Sequence, residues 1–175
     1  WETNGVSFDG VFIDLPAMGA DPRHKDIFVH AEWMQPDPAR PAASFKPTAR
    51  ALKIVSDAFL KAPITTNPDG KPGVRLHVDA GPDSVMNPLT GRKWGVLSRS
   101  TADDLPYQAQ TGTLTATKEY DWTQFDAIKS RHFAPSMRSA VFHYAVFLNT
   151  QPTVPPTPPD TSGLSRGIIG ADFLV

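Results

Sequence analysis

The chain has 175 residues, enough for one domain with a sizeable core. Its 17 basic and 18 acidic residues give a net charge of −1, without the basic excess that marks nucleic-acid binders. With no cysteine, disulfides and thiolate metal sites are excluded, no apolar run is long enough to span a bilayer, and 18 prolines with 12 glycines imply many loops.

The sequence starts at Trp1 with neither Met nor a signal-like segment and reads as a processed or excised piece. Residues 1–20 form a lead-in with little periodicity, in which Val11, Phe12 and Ile13 suggest a short strand. The clearest strand covers 24–34. Ile27, Phe28 and Val29 make a dense apolar run, and Val29, Ala31 and Trp33 alternate with His30, Glu32 and Met34. That pattern suits a strand covered on one face and partly covered on the other. Asp21-Pro22 and Gln35-Pro36-Asp37-Pro38 punctuate its ends.

After a proline-rich loop at 36–43, residues 44–62 predict a helix. Pro47 suits its first turn and Pro63 stops it. Leu52, Val55 and Phe59 recur at helical spacing, with Arg50, Lys53, Asp57 and Lys61 on the outer face. Asn67-Pro68-Asp69-Gly70 is a turn. A second strand follows at 74–79, with Val74, Leu76 and Val78 on one face and Arg75, His77 and Asp79 on the other. Residues 81–106, with Gly91, Trp94 and Gly95, are long and irregular. Such loops are uncommon without a function, so this one is either a cleft wall or, as we favour, a surface elaboration.

The threonine-rich 111–117 suggests a short edge strand. Residues 121–133 predict a second helix. Asp121 serves as its cap, Gln124 stands near a capping box, Phe125, Ile128 and His132 share a face, and Phe133 closes it. Residues 140–148 are nearly all apolar and predict a central strand. The stretch 151–159 is a proline-rich loop, most simply a stiff exposed connector, with O-linked sugars as the alternative. Ile168, Ile169 and 171–175 suggest a last strand. The expectation is one α/β domain over 1–175, with a core at 21–175. It holds a twisted mixed sheet of about four to five strands with two main helices.

The five histidines are His24, His30, His77, His132 and His143, and none forms the helical pair that signals a zinc site. His30, His77 and His143 fall on three predicted strands. Adjacent strands would bring two of them together, so they and Asp79 are the metal-ligand candidates, with Glu32 nearby. The alternative is that His77 and His143 are hydrogen-bonded within or beside the sheet. Ser98, Ser130 and Ser136 lie in no nucleophile elbow, and no phosphate loop or dinucleotide fingerprint occurs. Trp33, Trp94 and Trp122 read as core residues, with a carbohydrate- or protein-binding surface as the other option.

Several stretches carry a resemblance. They are Asp14-Leu15-Pro16-Ala17-Met18-Gly19-Ala20-Asp21-Pro22-Arg23 with the 24–34 strand, Arg75-Leu76-His77-Val78-Asp79, Tyr120-Asp121-Trp122 with Ile128-Lys129, Val141-Phe142-His143-Tyr144, and Gly163-Leu164-Ser165-Arg166-Gly167. In this order they resemble secreted bacterial zinc metallopeptidase-like proteins of the metzincin type, over most of the chain. In that family zinc polarises a peptide carbonyl and activates water, with a glutamate as base. The family's His-Glu-x-x-His zinc helix does not occur in these 175 residues and is expected shortly after them.

The resemblance therefore implies the N-terminal scaffold of a secreted zinc endopeptidase, supplying the sheet and the upper edge of its cleft. It transfers no catalytic residue, and it implies zinc for the parent protein and no cofactor in this chain. The lead-in resembles Asp/Gly-rich calcium loops. Only Asp9, Gly10 and Asp14 remain, against about six to eight oxygens for calcium, so an ordinary turn is expected. The alternative is a structural subunit of an extracellular fibre or complex. A chain ending on a strand leaves a sheet edge open to pairing, giving a homo-oligomer or polymer.

Overall fold

Asp9 and Gly10 both hold positive φ, 44° and 79°, as the two central residues of a type I′ hairpin must. They join β1 (Val6–Phe8) to β2 (Val11–Ile13), antiparallel, with Val6 opposite Ile13. The computed structural model describes residues 1–101, 105–152, 163–167 and 170–175. Most of the proline-rich loop at 151–159, together with Ile168 and Ile169, lies outside the described residues.

The remaining elements are β3 (Asp26–Trp33), α1 (Ala49–Leu60), β4 (Arg75–Asp79), β5 (Thr113–Leu114), β6 (Tyr120–Asp121), α2 (Thr123–His132), β7 (Phe142–Phe147), β8 (Leu164–Ser165) and β9 (Asp172–Leu174). Five strands form a mixed sheet in the order β4-β3-β7-β9-β8. β4, β3, β7 and β9 run parallel, and β8 is antiparallel to β9. The apolar β7 is central, as its composition requires. The expected last strand is present as β9, but it lies inside the sheet between β7 and β8 and exposes no edge.

Register fixes the two faces. Phe28 pairs with His77 and Phe142, and His30 with Asp79 and Tyr144, so these six side chains share one face. Ile27, Val29, Ala31 and Trp33 point the other way with Leu76, Val78, Ala145 and Phe147. The step from β3 to β4 and the step from β4 back past β3 to β7 run in opposite directions along the sheet. Right-handed crossovers then place α1 and α2 on opposite faces. Leu52 and Phe59 of α1 pack with Ala31, Trp33, Leu76 and Val78. Phe125 of α2 joins Phe28, Phe142, Tyr144 and Val146, together with Ile13, Leu15 and Met18 of the lead-in. Each such large apolar side chain, once fully buried, contributes about 1.5–3 kcal/mol.

Several expectations change in detail. α1 begins at Ala49, not residue 44. Thr48 caps it, its hydroxyl accepting the Ala51 N–H at 3.1 Å, so Pro47 stands outside the first turn. Val55 leaves the buried stripe and is 45% exposed. β4 is buried on both faces. α2 has no capping box. Asp121 belongs to β6 and takes the Thr123 N–H at 2.9 Å, while Gln124 accepts the Gly112 N–H at 2.6 Å. The threonine-rich stretch yields only β5, paired with β6 outside the main sheet.

The 81–106 stretch is no surface elaboration. Met86, Trp94, Ser100 and Leu105 are buried in it. The Trp94 indole N–H donates to the Val78 carbonyl at 2.7 Å, on the side of β4 away from β3. The tryptophans form no shared surface. Trp33 and Trp94 are buried on opposite faces, and Trp122 packs against Tyr120 and Phe125.

Candidate functional site

The chemistry of this chain concentrates on the α2 side of the sheet, where charged groups stand among apolar ones. β3 contributes Asp26, His30 and Glu32, β4 contributes His77 and Asp79, and β7 contributes Tyr144. Each alternates with an apolar residue aimed at the other face, so the strand period of two delivers them together. Arg138 enters from a short 3₁₀ turn (Arg138–Ala140) just ahead of β7 and is 2% exposed.

Arg138 is the hub. Its Nη1 donates to Asp79 Oδ2 at 2.5 Å and to His30 Nδ1 at 3.2 Å, and its Nη2 donates to the Leu97 carbonyl at 2.5 Å. A guanidinium only donates, so His30 Nδ1 is the acceptor and the imidazole proton sits on Nε2. That proton is donated to Glu32 Oε1 at 3.1 Å. Glu32 also accepts the Tyr144 hydroxyl at 2.6 Å, and His132 Nδ1 lies 4.0 Å from its second oxygen. The guanidinium also stacks over the Phe142 ring, 4.6 Å from its centre.

Asp79 further accepts the Ser98 hydroxyl at 2.6 Å and the Arg99 N–H at 2.8 Å. Burial alone would raise its carboxyl. The charge of Arg138, then the Ser98 and Arg99 hydrogen bonds, outweigh burial and hold it below the usual carboxylate range. The Tyr144 hydroxyl moves the other way, pushed far above the ordinary phenol range by burial and then by the Glu32 charge.

His77 forms a second centre. Its Nδ1 donates to the Met86 carbonyl at 2.8 Å, and its Nε2 lies 2.7 Å from Asp26 Oδ1. A carbonyl only accepts, so Nδ1 is protonated and one further proton lies between Nε2 and Asp26. The ring stacks on Phe28 at 4.5 Å. Asp26 also accepts the Asp21 N–H at 2.9 Å, which ties the lead-in to the sheet.

The four metal-ligand candidates therefore do not converge. His30 and Asp79 are bridged by Arg138, His77 is held by Met86 and Asp26, and His143 projects from the opposite face beside Phe173, ring centres 5.8 Å apart. Among the described residues no three His, Cys, Asp or Glu side chains are placed to hold a metal ion. Zinc does not fit these residues, because a guanidinium occupies the place a cation would need. In the lead-in, Asp14 accepts the Ala17 N–H at 3.0 Å and Asp9 sits in the hairpin turn. Sequence reasoning missed Arg138 altogether. It stands in Ser136-Met137-Arg138-Ser139 with no periodic signal, and only an unmatched acid on an apolar strand, Asp79, hints at a buried cation.

No family model, no curated protein and no solved structure matches the chain.

Proposed function

We propose that this chain is the N-terminal sheet scaffold of a secreted zinc metallopeptidase-like protein of the metzincin type, not catalytic on its own. The observation that carries the proposal is where the resembling stretches fall. Four of them lie on β3, β4, β7 and β8, four strands of one connected sheet. Such a sheet supplies a rigid floor. Its antiparallel edge strand β8 has no strand on its outer side among the described residues, and an extended peptide can add to such an edge.

In this reading the zinc ligands come from a His-Glu-x-x-His helix outside these residues, and the Arg138 network fixes the floor beneath the site. The test is the coding sequence beyond Val175, followed by zinc content and casein cleavage of the longer product. A His-Glu-x-x-His stretch, bound zinc and cleavage lost on chelation are the expected results. A longer product with no such stretch and no zinc would overturn the proposal.

The β8 edge also supports a second reading, a subunit of an extracellular complex assembled by strand pairing. Concentration-dependent association measured by light scattering would favour it, and a monomer at all concentrations would exclude it.

A further inference from the structure

α1 crosses the sheet as a ridge, with Leu52 beneath it and a hollow on each side. The hollow on the β4 side has a volume of about 450 Å³, within the range of small-molecule sites. Its floor is Val78 and Ala80, both buried at the end of β4. Its far wall is the 83–91 segment, held in place by the Val85–Lys93 bridge and by the Met86 N–H donating to the Arg92 carbonyl at 2.6 Å. Its roof is the α1 face that carries Leu52 and Ser56, one turn apart.

Two features make the hollow more than a dent. The first is Ser56, 8% exposed and facing the hollow. Helical serines commonly return their hydroxyl to a carbonyl of the preceding turn, as Ser130 does to Asp126 at 2.9 Å. The Ser56 hydroxyl has no hydrogen-bond partner among the described residues and opens onto the hollow.

The second feature is charge. Four charged side chains line the hollow: Lys46, Lys53, Asp57 and Asp83. Lys53 is paired with Asp57 at 2.7 Å, and Asp83 with Lys93 at 3.4 Å. Lys46 has no carboxylate partner among the described residues and rests on the Trp33 ring, its Nζ 4.7 Å from the ring centre. Among the described residues the hollow thus has an apolar floor, a lysine without a carboxylate partner at its rim and a serine hydroxyl without a hydrogen-bond partner in its roof.

We propose that this hollow binds a small aliphatic carboxylate carrying a second oxygen at its far end. The carboxylate meets Lys46, the hydrocarbon lies over Val78, Ala80 and Leu52, and the distal oxygen exchanges a hydrogen bond with Ser56. The site does not depend on the zinc-scaffold proposal, because it lies on the α1 side of the sheet and uses neither the Arg138 network nor the β8 edge.

The test is titration of the whole chain with octanoate, 8-hydroxyoctanoate and octylamine, followed by backbone amide NMR. Both carboxylates should saturate and shift the amides of Ser56, Val78 and Ala80. The hydroxylated one should bind about threefold tighter, the worth of one net hydrogen bond. Ser56→Ala should erase that ratio without weakening octanoate, and Lys46→Gln should weaken both carboxylates about two- to fivefold. Octylamine binding as tightly as octanoate would overturn the proposal. So would a ratio unchanged in Ser56→Ala, shifts confined to Phe147 and Phe173 across the ridge, or a wild-type chain that neither carboxylate saturates.

Discussion

Replacing Arg138 with methionine removes the buried cation that bridges Asp79 and His30 while keeping most of the side chain's volume. Asp79 keeps the Ser98 hydroxyl and the Arg99 N–H, but its buried charge loses its counter-ion. The Leu97 carbonyl and His30 Nδ1 each lose a donor. Breaking one side of a buried pair costs about 3–5 kcal/mol. A domain of ordinary stability has about 5–15 kcal/mol in all. For a chain of this length each kcal/mol shifts the melting temperature by about 2–4 °C. Arg138→Met should therefore melt roughly 6–20 °C lower at pH 7, followed by circular dichroism.

The pH dependence carries the sharper test. The folded-state Asp79 carboxyl lies below its unfolded value, so its contribution is complete above about pH 4 and is lost as pH falls through the folded value. The gap between wild type and Arg138→Met should be widest near neutrality and narrow below that point. Changing Asp79→Asn in the same chain should recover part of the loss, because the uncompensated charge is then gone. A loss under about 1 kcal/mol at pH 7, or a gap that widens in acid, would refute the assignment of Arg138 as the counter-ion.

Two further outcomes follow from the same face and its flank. Burial, then the charge of Asp121, pushes the Tyr120 hydroxyl up to about 12, and Tyr144 lies higher still. A raised phenol favours the folded state below about pH 10 and gives up that contribution as pH climbs through the folded value. Phenolate absorbance should then show Tyr144 ionising only together with unfolding, and Tyr144→Phe should delete that step. Trp94→Phe takes away the indole N–H from the buried Val78 carbonyl, which should cost about 1–3 kcal/mol in urea unfolding. It should also raise hydrogen exchange along β4, and unchanged exchange there would count against an edge-sealing role for Trp94.

The sheet was legible because its strands are. A strand buried on both faces must be apolar nearly throughout, and 140–148 and 27–33 announce themselves that way. The hairpin at Asp9-Gly10 carried a readable signal as well: an Asp-Gly pair between Val6, Phe8 and Val11, Ile13. Placing β9 inside the sheet was beyond local pattern, because a three-residue strand shows no period and its neighbours are set by tertiary pairing. The site was half legible. His30, His77 and Asp79 stand out as polar residues on apolar strands. Their meaning turned on Arg138, about sixty residues beyond Asp79, and no spacing rule links positions so far apart.

Trp94 has a consequence for how copies of this chain can meet. Growth by adding strand to strand requires every member to offer two receptive sides, one to accept and one to give. Here the flank of β4 is stoppered at Val78 by an indole from its own chain, which leaves β8 as the receptive side among the described residues. Two copies joined β8 to β8 would satisfy each other and stop, so backbone pairing alone yields a closed couple, and a filament would have to be built from side-chain contacts elsewhere.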